Sequence, residues 1–184
     1  KIGGIHTICK AMRSFCERVE LQFHACTALE SLLHCCPLAR VEGLQADCHW
    51  TLLNALRRYV KNEQLNFHAA GALHAFASES IPHKQELGTK DTIKIVLRSA
   101  RQWQSVGKLC DRFCSLIRII GQHKPSHAIM MASHVHHFFL GSLGIHQHST
   151  GVSQHALCGL AQLADTHPER QLQIADPDQA YGKV

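Results

Sequence analysis

Leu21-Gln-Phe-His-Ala-Cys-Thr-Ala-Leu29 decides the fold, because three later stretches repeat it. They are Leu65-Asn-Phe-His-Ala-Ala-Gly-Ala-Leu73, Val106-Gly-Lys-Leu-Cys-Asp-Arg-Phe-Cys114 and Val152-Ser-Gln-His-Ala-Leu-Cys-Gly-Leu160. Leu21, Leu65, Val106 and Val152 open them, 44, 41 and 46 residues apart. Pro37, Pro82, Pro125 and Pro168 follow them at nearly the same period, 45, 43 and 43 residues apart, where a proline stops a helix. Each stretch has helical apolar spacing. Ala25, Ala28, Leu29 and Leu32 fall at i, i+3, i+4 and i+7. Ala69, Ala72, Leu73 and Phe76 do the same, as do Cys110, Phe113, Cys114 and Ile117, and Ala156, Gly159, Leu160 and Leu163. A second helix precedes each, marked by Ile8/Met12, Leu52/Leu56, Ile93/Leu97 and Phe139/Leu143. Gly3-Gly4, Gly43 and Gly88 stand before the first three of these, and segments such as 83–89 leave room for a short extra helix or turn. No long period-2 alternation occurs, so the chain reads as all-α.

A period of 41–46 residues with two or three helices lies in the range of armadillo and HEAT units. The stretch from Leu21 to Leu33 resembles the third helix of an armadillo repeat, with its Leu-Gln-x-x-Ala-Cys-x-Ala-Leu-x-x-Leu pattern, and Gly3-Gly4-Ile5 resembles the start of the second. The resemblance spans residues 2–168 and is weakest in the third unit, where Asp111 and Arg112 interrupt the motif. It implies a right-handed superhelical armadillo/HEAT-like solenoid of about four repeats. The expected division is residues 1–37 (truncated at its start), 38–82, 83–125 (diverged) and 126–168, with 169–184 a partial repeat or tail. The opening on Lys1, inside a repeat, leads us to expect a piece of a longer protein.

In armadillo proteins the third helices line a groove. The resemblance therefore points to His24, Thr27, Ser31, His68, Gly71, Arg112, His155, Cys158 and Gln162 as groove positions, with Lys108 beside them. Import adaptors resembling importin α carry Trp and Asn ladders there. Here the Trp place holds Thr27, Gly71, Arg112 and Cys158, and the Asn place Ser31, Ala75, Leu116 and Gln162, so a nuclear-signal receptor is not expected. A groove closely like that of β-catenin is not expected either, since Arg112 and Lys108 alone supply its cations. His24, His68 and His155 share one register and form either a titratable polar ladder or three locally satisfied polar residues.

Formal net charge is +5, concentrated between Arg57 and Lys124, where twelve basic residues face five acidic ones. Arg57, Arg58, Lys61, Lys94, Arg98 and Arg101 form the core of this basic stripe. It suits acidic protein segments, tubulin-like surfaces or nucleic acid. Aromatic residues are only 6%, which weighs against base stacking and leaves RNA or another polyanion as the alternative partner. Nine cysteines, an odd number without a Cys-x-x-Cys pair, read as reduced thiols in the cytoplasm. Sixteen histidines include the group His134, His136, His137, His146 and His148, but no His-Glu-x-x-His spacing occurs, and neither a metal nor a cofactor is expected. No phosphate loop, nucleophile elbow or carboxylate pair appears, so an enzyme is not expected. No apolar run approaches the roughly 18–20 residues of a membrane span, so membrane insertion is not expected. The expected function is a non-catalytic protein–protein interaction scaffold, a subunit of a larger intracellular assembly, with cytoskeletal and ciliary complexes as the family-level analogy.

Overall fold

The apolar stripes become helices in every unit. A computed structural model describes residues 3–78, 80–165, 171 and 174–175. Unit one comprises α1 (Gly4–Ser14) and α2 (Val19–Cys35). Unit two comprises α3 (Pro37–Gln45), α4 (Cys48–Arg58) and α5 (Glu63–Ala77). Unit three comprises α6 (Ile81–Leu87), α7 (Lys90–Gln102) and α8 (Gly107–Ile120). Unit four comprises a 3₁₀ turn (Lys124–Ser126), α9 (His127–Ala132), α10 (Val135–Ile145) and α11 (Thr150–Ala164). No strand occurs among the described residues, and the fold is the expected armadillo-type α-solenoid. Pro168 and most of the segment 169–184 lie outside the described residues.

Two layers run through the solenoid. The third helices α2, α5, α8 and α11 pack in succession, and so do the second helices α1, α4, α7 and α10. Between them Leu29, Leu33, Leu52, Leu56, Phe76, Phe113, Phe138 and Phe139 are buried in one core. No single helix among the described residues is long and apolar enough to cross a membrane.

Two local expectations are corrected. Pro37, Pro82 and Pro125 do not close the third helices; they occupy the first turns of the short helical pieces that follow. There the missing N–H costs nothing, since the first turn has no intrahelical acceptor for it. In α2 the expected stripe is only partly used: Ala25 and Ala28 are half-buried and Leu32 is 40% exposed. Gln22, Cys26, Leu29 and Leu33 are buried instead. The equivalent Ala69, Ala72 and Phe76 of α5 are fully buried because α2 covers that flank. Among the described residues no third helix precedes α2 to do the same.

Side chains fix the spacing of the units through backbone carbonyls. Within units, the buried amide of Gln22 donates to Met12 O at 2.8 Å, and that of Asn66 donates to Tyr59 O at 2.8 Å. Between units, the residue capping each second helix reaches back one unit. Tyr59 Oη donates to Cys16 O (2.8 Å), Trp103 Nε1 to Val60 O (2.8 Å) and His146 Nε2 to Gln104 O (2.7 Å). Each acceptor is the residue just after the corresponding cap, Phe15, Tyr59 or Trp103, so the same joint recurs three times.

Candidate interaction surface

The sequence places His24, His68, Arg112 and His155 on consecutive third helices, but the structure gives them different surroundings. Glu30, on the facing side of α2, reaches across to α5 and α8. His68 Nδ1–H donates to Glu30 Oε2 at 2.8 Å, and Arg112 Nη1 lies 3.1 Å from Glu30 Oε1. The Arg112 guanidinium also stacks 4.2 Å from the Phe67 ring centroid, a cation–π contact. Gly71 is buried beneath the Glu30 carboxyl group, which occupies the space where a Cβ would stand. This centre is closed on itself: Arg112 already holds a carboxylate, so an acidic partner there competes with Glu30.

The remaining predicted positions surround this centre. His24 is exposed with its ring 4.9 Å from that of Phe23. The Thr27 and Ser31 hydroxyls donate to carbonyls within α2, at Phe23 and Thr27. Lys108 and Cys158 are exposed on α8 and α11, and Gln162 is half-buried beside Gly121. His155 Nε2 lies 3.9 Å from Asp111 Oδ1, beyond hydrogen-bond reach; burial lowers the His155 pKa and Asp111 partly opposes this. His74, on the same face, is lowered to about 4 by burial first and then by Arg118 and Arg112. Glu30, Asp111 and Phe67 are functional neighbours the sequence reading missed. Neither acid recurs at its repeat position, so periodicity carries no signal for Glu30 or Asp111; Phe67 does match Phe23, but the shared phenylalanine does not reveal the cation it stacks on.

The basic stripe divides into two. Arg57 and Arg58 line a pocket of about 430 Å³ with Met12, Arg13 and Gln22, and Arg58 is engaged by Glu17 at 2.6 Å. Lys61 lies exposed in the turn after α4. Lys94, Arg98 and Arg101 are all on α7 and line a separate cleft of about 890 Å³ facing α9. Lys90, from the same basic stretch of sequence, joins them. Leu97, Ala128, Ile129 and Ala132 supply the apolar lining, and among the described residues neither an acid nor an aromatic lines the cleft. At the start of α10, three imidazoles come together with ring nitrogens within 4.8 Å of one another, the group in the described residues with a donor set for a metal.

A family model described as LRRK2 ARM repeat matches residues 4–180, nearly the whole chain. The chain belongs to the LRRK2 ARM repeat family. No curated protein and no solved structure matches it. Membership fits the diverged armadillo pattern and the helix order above. ARM repeat domains are generally protein-interaction scaffolds without catalytic activity, and this member presents a closed polar centre on its third helices and an open basic cleft between α7 and α9.

Proposed function

We propose that this chain is a non-catalytic scaffold within a larger intracellular assembly, and that the α7–α9 cleft seats an acidic, partly apolar segment of a partner protein. One observation carries the reading: four cations, Lys90, Lys94, Arg98 and Arg101, flank an apolar floor with no acid among the described lining residues. Their spacing of four, four and three residues sets them along one side of α7. The closed Glu30–Arg112 centre supports the cleft over the third-helix face as the principal acceptor of negative charge. The lack of an aromatic among the described lining residues supports a peptide over RNA, whose bases stack on such rings. Nine free thiols support a reducing, cytoplasmic setting, and cytoskeletal or ciliary complexes with acidic surfaces fit the cleft's charge.

The test is fluorescence anisotropy at about 150 mM salt with two probes, a labelled Glu/Leu-rich peptide and a single-stranded RNA of similar charge. We expect saturable peptide binding that falls at least tenfold in the exposed double variant Lys94→Glu/Arg98→Glu, with weaker and salt-steep RNA binding. Tight RNA binding without peptide binding overturns the reading, as does peptide binding indifferent to the charge reversal.

A further inference from the structure

Residues i, i+2 and i+3 of a regular helix do not present their side chains to one point. At the start of α10 they do, because the backbone turns. His134, the residue before the helix, has left-handed dihedrals (φ 60, ψ 39), and the preceding helical segment meets α10 at 76°. The imidazoles of His134, His136 and His137 are thereby gathered with ring centroids 4.2, 5.0 and 6.0 Å apart. We propose that these three side chains form a binding site for a divalent transition-metal ion of the zinc class.

Two features support the site. The ring nitrogens already lie within 4.8 Å of one another. Three ligands held about 2.0–2.1 Å from a tetrahedral zinc stand roughly 3.3 Å apart, so modest rotations of the rings complete the set. His136 is only 4% exposed, yet its Nδ1 has no hydrogen-bond partner. A buried imidazole nitrogen left unsatisfied is costly, and a metal ion coordinated at that nitrogen removes the cost.

The donor set selects the ion. Three imidazoles without a carboxylate suit zinc, copper or nickel and exclude magnesium and calcium, which prefer oxygen. His134 is exposed and His137 half-buried, so a coordination position stays open for water or a partner's side chain. Arg101 Nη2 lies 3.5 Å from the carbonyl oxygen of Ser133, the residue before His134, and its charge opposes a bound dication. The site is therefore of moderate affinity, and removing that charge strengthens it.

The experiment uses the 184-residue chain stripped with chelator, titrated with Zn²⁺ by calorimetry and with Co²⁺ by visible absorption. We expect one ion per chain and a tetrahedral Co²⁺ spectrum. His134→Asn, which tolerates the left-handed backbone, and His137→Gln should each weaken binding about tenfold or more. Arg101→Gln should tighten it several-fold, and His148→Gln, on an exposed residue outside the cluster, should leave it unchanged. Imidazole ¹⁵N spectra report the ligands directly in the unaltered protein: Zn²⁺ should move the signals of His134, His136 and His137. Absence of saturable binding, binding indifferent to both ligand variants, or zinc shifts confined to other rings overturns the proposal.

Discussion

Two glycines of the third helices use a missing Cβ differently. At Gly159 a Cβ would lie 2.5 Å from the Phe139 ring, which is fully buried and cannot yield. At Gly71 the obstacle is the end of the flexible Glu30 side chain. Alanine is favoured over glycine by about 1 kcal/mol in a helix, so that gain sets the baseline at both sites. Gly159→Ala should still destabilise the fold by about 1–3 kcal/mol through overpacking. Gly71→Ala should leave stability within about 1 kcal/mol, while pushing Glu30 off His68 and Arg112. Urea denaturation of both variants, with the His68 Nδ1 proton followed by NMR, checks the contrast. Equal destabilisation would show that Glu30 does not give way.

At the scale of elements, the joints between helices set how units register. Tyr59→Phe removes only the hydroxyl that bonds Cys16 O near solvent and should cost about 1 kcal/mol. Asn66→Ala removes a fully buried amide that serves Tyr59 O and Asn62 O and should cost more, about 2–3 kcal/mol. A urea midpoint for Tyr59→Phe lower than that for Asn66→Ala would contradict this order. The helices themselves were legible in the sequence, because burying apolar stripes such as Ala69, Ala72 and Leu73 demands helical spacing. The joints were not. Their acceptors are main-chain atoms, and their donors are a phenol, an indole and an imidazole, which no residue pattern unites. The shared register of His24, His68 and His155 was legible too, but not their fates. Their polar partners come from neighbouring helices at positions that do not repeat: Glu30 for His68 and a distant Asp111 for His155, while the exposed His24 rests on the Phe23 ring of its own helix.

For the whole molecule, the histidines govern the acid limb of stability. Burial is the first cause lowering the pKa of His49, His74, His83 and His155, with His74 near 4. An unfolded chain protonates these rings near pH 6.5, before the folded chain does. Below that pH the unfolded state binds more protons, so stability falls as pH drops from about 6.5 to 4 and is regained on raising it. His74 alone accounts for on the order of 2–3 kcal/mol over this window. Tm measured across pH 4–7.5 should fall on the acid side of 6.5, and His74→Gln should flatten the fall; a level profile contradicts the account.

The joints made by Tyr59, Trp103 and His146 each pair one variable side chain with a main-chain oxygen. A carbonyl is present whatever residue carries it. Each repeat therefore has to preserve a single donor, not a matched pair, for its spacing to survive. A unit can drift as far as the third has, with Asp111 and Arg112 inside its motif, and still stack on its neighbours. The solenoid's regularity is written in its main chain, which leaves the side chains free to diversify for partners.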